Sequence, residues 1–594
     1  MNNKAFYDNE REIDLDEQKR LYRREKKVIF ARTAVFIASI LGIAWSVDGN
    51  HYGYIGSAIL IMIFFSLVGR HEDIKRRQKF LTSRLNVLNS YLVRARGTWR
   101  KRSTTGSNYL DEERPQDVDL YIFGKGSIFQ YICAARTKRG RDRLAQSFSP
   151  IPPDDFAKVR LRQKGVFELL QRPRLSLDLE ALARLMPNNH DTTPIIKAME
   201  ESAPELSKIF YLRFLPIPLI LATVLLGSAQ IIDEVLAFVI LSIVPVINLV
   251  IAFVMLSRTS EILKPLKTMS KELRLYQSIF ERLESTDFNS SSMRKIRDAL
   301  TDEVSAARKV KLLELLVRFV NARKNPFAFL LGNAIFLMDF FCVSAFISWR
   351  QTASKHLHQW IDAWSEAEVL MSLASIGQTR ETYCFPTLID DPAPQITAKN
   401  LSSLLIANKK AVPNDVDLKA GTLIITGANM SGKTTWIRTI AGAVMLAYAG
   451  APVCAESFSV SKLAVFTSIR VNDDIGQGLS TFYAELLRIK SMIEYSENNL
   501  PMLICIDEIF KGTNEADRLL GAKVAIQRLT SPRNITIVTT HDFELCEMEN
   551  ISNKHFQEYY EGDEIKFDFK IREGRCTTTN AKYLLRMAGI LNNA

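Results

Sequence analysis

The sequence is poor in paired cysteines, in acidic charge and in any leader-like start. Its seven cysteines (Cys133, Cys342, Cys384, Cys454, Cys505, Cys546 and Cys576) are scattered, with no C-x-x-C pair. That argues against a disulfide framework or a zinc site, and for a reducing compartment around the soluble part. The N-terminus runs through a charged stretch, Asn9 to Lys27, before any apolar run, which is not the order of a signal peptide. Acidic residues number 65 against 77 Lys and Arg, a formal charge of +12 and a pI of about 9.2. A basic balance favours polyanions, either acidic lipid head groups or nucleic acid, and does not choose between them.

What the chain does have is length and long apolar runs. Its 594 residues predict more than one domain. Val28 to Val47 is apolar apart from Arg32, and Ile55 to Gly69 is apolar again. Each is about the length that crosses a bilayer, the second slightly short unless Tyr52 and Tyr54 sit at the interface. Lys and Arg crowd both flanks, from Lys19 to Lys27 and from Arg70 to Lys79, and none lies in the loop between. The positive-inside rule then puts both ends in the cytoplasm. The alternative, a buried hairpin in a soluble core, leaves that asymmetry unexplained. A second pair follows, Phe214 to Ile232 and Val235 to Leu256, flanked by Lys208, Arg213, Arg258, Lys264 and Lys267. The same rule gives the same topology.

Residues 72 to 114 continue the basic run with Arg84, Arg94, Arg96, Arg100, Lys101 and Arg102. Leu81, Leu85, Leu88 and Leu92 keep a helical stripe through it. We read it as a juxtamembrane helix lying against acidic lipid, in preference to a nucleic-acid contact. Pro326 to Trp349 is a third apolar region, containing Asn333 and Asp339. Those two residues make insertion costly, so it is expected to be a buried helix of the soluble part. Trp360, Trp364, Ala367 and Leu370 stripe one further helix, and Pro386 to Pro394 reads as a linker.

Chemistry concentrates after residue 395. Thr422 to Thr426 is a short apolar strand, followed by Gly427-Ala428-Asn429-Met430-Ser431-Gly432-Lys433-Thr434-Thr435 and a helix. This fits G-x-x-x-x-G-K-[ST], the phosphate-cradling P-loop. Gly427 and Gly432 can adopt backbone angles closed to other residues, so successive amides can turn on an anion, and the helix N-terminus adds partial positive charge. Lys433 is then expected to reach the β- and γ-phosphates of ATP, and Thr434 to hold Mg2+. Met502 to Ile506 is a fully apolar strand ending in Asp507-Glu508. Asp507 is the expected metal-side carboxylate and Glu508 the group that polarises an attacking water. Ile535 to Thr540 is another strand, ending at His541, a candidate γ-phosphate sensor. Ile565, Phe567, Phe569 and Ile571 alternate with charged residues, which predicts an antiparallel strand pairing with Lys554 to Tyr560. A helix is expected from Asn580 to Leu591.

Five blocks in order resemble the MutS family of ATPases. They are Val412-Pro413-Asn414-Asp415-Val416, the 426–435 loop, Asp473-Asp474 with Ser480-Thr481-Phe482, Asp507-Glu508-Ile509 with Gly512-Thr513-Asn514, and Thr539-Thr540-His541-Asp542. Upstream, Ile122 to Ser127, Arg136 to Leu144 and Ala363 to Ala374 resemble that family's helical core more weakly. The resemblance implies an ABC-type ATPase that dimerises to complete its sites. In that family the serine matching Ser480 reaches the γ-phosphate of the partner's nucleotide, and the residues matching Asn429 and His541 belong to the site. The family's best-known role is DNA mismatch repair. This chain departs from it in having fewer than 120 residues ahead of the core, with no Phe-x-Glu wedge there and with apolar hairpins where the DNA-reading parts would be. It also has Leu401-Ser402-Ser403-Leu404-Leu405 where relatives place His-Pro near the adenine, so the source of base recognition is left open.

The fold expected is an α/β ABC-type P-loop ATPase domain at the C-terminus, preceded by an all-α lever/core region carrying two transmembrane hairpins. The boundaries are 1–27 (basic N-terminus), 28–69 (hairpin 1), 70–116 (basic helix), 117–211 (core, first part), 212–258 (hairpin 2), 259–394 (core, second part) and 395–594 (ATPase domain). The function expected is a four-span membrane protein with a cytoplasmic ATPase domain, working as a homodimer on ATP and Mg2+, in contact with lipid, with DNA as the partner to test. The rival is a transporter-like ABC machine with no DNA role, although spans with almost no polar residues show no substrate path. A scaffold that binds ATP without turnover is a third reading, opposed by the intact Asp507-Glu508 pair.

Overall fold

Long apolar helices near the N-terminus and strand-length apolar runs near the C-terminus resolve as expected in a computed structural model. It describes residues 3–47, 52–111, 113–200, 208–268, 272–470, 481–498, 500–510, 514–561 and 564–576. The helices that organise the chain begin with α1 (Asn3–Val47), α2 (Tyr52–Ala95), α3 (Lys138–Gln146), α4 (Pro173–Arg184), α5 (Pro216–Ser228) and α6 (Glu234–Val254). They continue with α7 (Pro326–Phe336), α8 (Met338–Ala353), α9 (Leu357–Thr379), α10 (Lys433–Ala449), α11 (Thr481–Asn498) and α12 (Glu515–Leu529). The strands are β1 (Thr387–Leu388), β2 (Gln395–Leu401), β3 (Asn414–Lys419), β4 (Gly421–Thr426), β5 (Ser457–Val460), β6 (Ala464–Ser468), β7 (Met502–Asp507), β8 (Asn534–Thr539), β9 (Ile551–Glu561) and β10 (Glu564–Glu573).

Contacts divide the chain into two units: 1–135, 142–181 and 369–594 in one, 136–141 and 182–368 in the other. In the first, α1 and α2 form a hairpin far longer than its apolar part. Ser57 Oγ donates to the Ser39 carbonyl at 3.1 Å, and a Cβ on Gly53 would lie 2.9 Å from the Gly42 carbonyl. Small residues at this crossing let the two backbones approach. Arg32, the one charge in the first run, is 3.2 Å from His71 Nδ1, and His71 Nε2 is 3.3 Å from Glu25.

The basic continuation of α2 departs from expectation. Its leucine stripe is buried against protein rather than lipid: Leu85, Leu88 and Leu92 pack with Tyr7, Leu177 and Ala181. Arg84 is buried too, in ion pairs with Glu10 at 2.6 Å, Asp14 at 2.5 Å and Asp178 at 2.9 Å. An apolar stripe next to folded chain finds side chains to pack on, and a buried guanidinium needs carboxylates around it.

The C-terminal part of this unit holds a six-stranded mixed sheet in the order β10-β9-β4-β8-β7-β6. Only β9 and β10 pair antiparallel, and the rest of the sheet is parallel. β7 and β8 are buried at every position, the pattern of strands covered on both faces. A smaller sheet, β1-β5-β2-β3, lies beside it in sequence. Its first strand occupies part of the 386–394 stretch expected to be linker, because Leu388 is drawn into parallel pairing with Val460. The helix expected at 580–591 lies outside the described residues.

The second unit is helical. Among the described residues, four helices of the chain are long and apolar enough to cross a membrane: Ala5–Ser46, Gly53–Ala95, Phe210–Ser228 and Glu234–Val254. The third apolar region, expected to be one buried helix, is two. α7 and α8 meet at Leu337 with a bend of 81°, Leu337 itself having φ +45°. Only α8 is buried along most of its length; α7 exposes Phe327, Leu330, Leu331 and Phe336.

Candidate functional site

The register of the large sheet assembles the site. Thr539 is level with Ile425 on one side and with Asp507 on the other. The tips of β4, β8 and β7 therefore finish together, and the residues just past them share one edge. Parallel α/β sheets gather ligand-binding groups at this carboxyl edge.

From β4 the chain enters the 427–435 loop. Gly427 has φ +141° and Gly432 φ +111°, so both stand where only glycine is comfortable. A Cβ on Gly427 would also lie 2.5 Å from the Phe556 carbonyl. Met430, at φ +68°, projects outward and is exposed. α10 opens at Lys433. The Lys433 ammonium is buried and donates to the carbonyls of Gly427 at 2.6 Å and Ala428 at 3.0 Å, curling the loop around its own cation. Ser431 Oγ is buried with no hydrogen-bond partner, a polar atom left facing the loop's interior.

Thr434 Oγ1 donates to Asp507 Oδ2 at 2.8 Å, and Thr539 Oγ1 donates to Asp507 Oδ1 at 2.6 Å. Asp507 is thus fixed between the helix that follows the loop and the neighbouring strand. Glu508 follows at φ +57°, an unusual angle for a side chain of this size. Its N–H is tied to the Thr539 carbonyl at 3.1 Å and hydroxyl at 3.0 Å. That twist turns Glu508 away from Asp507 and toward His541, whose Nε2 is 3.4 Å from Glu508 Oε1. The same Nε2 lies 3.0 Å from Asn429 Oδ1 and 3.5 Å from Lys433 Nζ, which brings His541 against the loop. Asp542 is held by Arg518 in a two-point ion pair at 2.8 and 3.1 Å, which steadies the turn after His541.

All of the sequence-derived loop residues, together with Asp507, Glu508 and His541, therefore meet at one sheet edge. Ser480 lies outside the described residues, as do Asp473, Asp474, Gly512 and Thr513. Asn514 is described, and its side chain caps α12 by accepting from the Asp517 N–H at 2.9 Å.

A cavity of about 400 Å³ opens over the loop, lined among others by Ser402, Ile406, Val412, Phe556 and Phe569. Sequence reading missed the aromatic wall. Phe569 sits at φ +56° where the β9–β10 register shifts between Phe567 and Ile571. Asn414 pins that irregularity, donating to the Phe569 carbonyl at 2.9 Å and accepting from the Ile571 N–H at 2.9 Å. The bulge swings Phe569 out of its alternating row, until its ring would be 3.3 Å from a Cβ on Gly432. Period-two alternation contains no sign of such a bulge. Thr539 was named only within a family block; its role, to tie Asp507, is revealed by the strand pairing.

The cysteines take no part in this site. Burial pushes the thiols of Cys454 and Cys505 up, and that of Cys384 to about 11, away from thiolate chemistry. Among the described residues no group of His, Cys, Asp and Glu has the arrangement of a protein-only metal site.

Residues 423–593 match the family model of MutS domain V, the ATPase domain of that family. The match begins within β4 and takes in the loop, both acidic residues and His541. It supports MutS-family membership and a nucleotide-binding role for this domain, and covers less than a third of the chain.

Proposed function

We propose that this chain is a membrane-anchored MutS-family ATPase that binds and hydrolyses Mg-ATP as a homodimer and uses the resulting closure to move its helical segments. The observation that carries the reading is the meeting of Thr434 and Asp507 below a glycine-framed loop. A hydroxyl and a carboxylate joined at 2.8 Å are the donor set that a phosphate-bound Mg2+ needs from protein.

The residues suit a triphosphate. The loop amides and the first turn of α10 offer unpaired N–H groups to an anion. Ser431 Oγ, buried and unpartnered, gains a partner in a phosphate oxygen. Lys433, now satisfied by loop carbonyls, has only to swing its ammonium to the β- and γ-phosphates. Bound Mg2+ would neutralise phosphate charge as it builds toward the transition state. Glu508 accepts a proton from the attacking water, and His541 holds the Glu508 carboxylate and the Asn429 amide in register at the γ-phosphate end. Phe569 covers the base, in place of the His-Pro absent from 401–405. Ser480, carried over from the family pattern, acts on the nucleotide of the second chain, which makes the dimer the active unit. The four apolar helices support anchoring in a membrane, because exposed Phe30, Phe65, Leu225 and Phe238 have no place in water.

Turnover and binding measured together test this. Wild-type protein should hydrolyse ATP in the presence of Mg2+, and Glu508→Gln should bind ATP while hydrolysing it about 10²-fold or more slowly. Wild-type protein that binds no ATP would sink the reading. A salt-dependent binding assay of the detergent-solubilised dimer with duplex, mismatched and branched DNA decides what the motion serves. Binding at low salt assigns the levers to DNA, and its absence leaves an ATP-driven membrane machine.

A further inference from the structure

The apolar helix α7 is too short to cross a bilayer and too exposed for water. Its 11 residues give about 16 Å of helix, roughly half of a 30 Å hydrocarbon core. Phe327 is 83% exposed and Leu331 65%, and with Leu330 they occupy one face at helical spacing. The helix packs on α6 through Phe329 and the Ala334 backbone. Asn248 Nδ2 donates to the Ala334 carbonyl at 2.7 Å, and Phe329 meets Phe253 edge-on at 5.5 Å. Rising numbers on α6 meet falling numbers on α7, so α7 runs antiparallel to the C-terminal half of α6.

Both ends of the segment return to the same end of the α5–α6 hairpin. Before α7, Arg323 donates to Ser260 Oγ at 3.1 Å, just past the end of α6. After the bend, α8 meets the start of α5: Phe340 packs on Phe210 at 4.9 Å, and Arg213 donates to Ser344 Oγ at 2.7 Å. This is the end that carries Lys208, Arg213, Arg258 and Lys264.

The backbone of the turn is bonded within the protein. Leu337 N–H bonds to the Asn333 carbonyl at 3.1 Å, Asn333 Oδ1 accepts from the Asp339 N–H at 3.1 Å, and Asp339 pairs with Arg323 at 3.2 Å. Asn333 and Asp339 are both buried. Non-helical backbone survives at membrane depth only when its N–H and C=O groups are bonded within the protein, as the Leu337 and Asp339 N–H groups are; the Asp339 carboxylate, buried without a hydrogen-bond partner, is held by its ion pair with Arg323.

We propose that α7 is a re-entrant membrane helix: it enters the hydrocarbon beside α6 from the basic end, turns at Leu337, and leaves through α8 on the side it entered, with lipid acyl chains covering its Phe327–Leu331 face. The inference rests on the reading of α5–α6 as a membrane hairpin. It reconciles an apolar third region with an even number of crossings, so that the chain before and after it stays on one side.

Full-length protein reconstituted in phosphatidylcholine/phosphatidylglycerol vesicles tests it. Phe327→Cys and Leu331→Cys, labelled with an environment-sensitive fluorophore, should be quenched by spin-labelled acyl chains and protected from aqueous iodide. Leu225→Cys on α5 is the reference for the hairpin. Lys324→Cys and Lys355→Cys should react with a membrane-impermeant maleimide from the same side, above a background set by the wild-type cysteines. Quenching of Leu225→Cys by lipid with iodide quenching at 327 and 331 overturns the re-entrant helix and leaves the hairpin standing. So does protection of 327 and 331 from both quenchers, the outcome for a face covered by a second copy. Opposite-side reaction of 324 and 355 overturns it in favour of a full crossing. Iodide quenching of Leu225→Cys overturns the hairpin and the re-entrant helix together.

Discussion

Thr434 at the start of α10 and Asp507 at the tip of β7 are 73 residues apart in sequence and joined by one 2.8 Å hydrogen bond. With Thr539 as second donor, the Asp507 carboxylate is held on both oxygens. Asp507→Asn keeps the shape and removes the charge. We expect its ATP affinity to lose its dependence on Mg2+, a loss of about tenfold or more at saturating metal, or about 1.4 kcal/mol. Titration calorimetry with ATP, with and without Mg2+, checks this; a variant that still gains affinity from the metal would remove Asp507 from the metal side. Asp507→Ala should also destabilise the domain, by about 1–3 kcal/mol, since the hydroxyls of Thr434 and Thr539 lose their acceptor.

Glu508 and His541 make a second pair, at 3.4 Å, beyond the strand tips. A general base contributes about 10²-fold or more to a rate, and little to ground-state binding. Glu508→Gln should therefore lower ATP turnover by that factor while ATP binding stays within about twofold. His541→Ala should slow turnover less, because it orients Glu508 and Asn429 without taking the proton. Steady-state turnover beside equilibrium binding separates the two. Equal loss of binding in both variants would make this pair a structural brace.

Phe569 is the residue by which the β9–β10 hairpin lines the cavity over the loop. Stacking of a base on an aromatic ring is worth about 1–3 kcal/mol. Phe569→Ala should weaken ATP by that amount and leave inorganic triphosphate unchanged. Competition between the two ligands reads the difference, and equal weakening of both would place the ring away from the base. Asn414→Ala should give part of the same loss, since Asn414 fixes the bulge from which Phe569 projects.

Those three predictions divide by how readable their residues were. Gly427, Gly432, Lys433 and Thr434 were legible because a local motif carries its own chemistry. Asp507 and Glu508 were legible because an apolar strand must end somewhere and ended in two acids. The β9–β10 pairing followed from alternation. Phe569 escaped because a bulge is decided by a partner, here Asn414, about 150 residues upstream. The leucine stripe of α2 was legible as a helical face, and its packing on Tyr7, Leu177 and Ala181 was not, because periodicity marks a face without saying what covers it. The break at Leu337 escaped for a related reason: an unbroken apolar composition conceals a turn made by one left-handed leucine and the Asn333 side chain.

Glu368, fully buried in the helical unit, gives the chain a titration that can be followed independently of nucleotide. Its carboxylate accepts from the N–H groups of Arg136 at 2.7 Å and Thr137 at 3.1 Å and from the Thr137 hydroxyl, at the start of α3. Burial opposes the charge more strongly than these donors favour it, and the carboxyl is raised from 4.5 to about 7. A raised acid binds its proton more tightly folded than unfolded. Its contribution is therefore fully present below pH 4.5 and declines as pH rises, and the loss is complete above pH 7. The span corresponds to roughly 3 kcal/mol. Glu368→Gln keeps an acceptor for the two N–H groups and cannot ionise. We expect the thermal midpoint of the detergent-solubilised variant to exceed that of wild type at pH 8 and to approach it at pH 5. Parallel midpoint curves for the two proteins across that range would show that Glu368 keeps the same protonation state folded and unfolded. Gly140→Ala provides an independent check, because its Cβ would stand 2.1 Å from a Glu368 carboxylate oxygen. It should destabilise the protein at every pH, since the carboxylate cannot move without abandoning the α3 N-terminus that it caps.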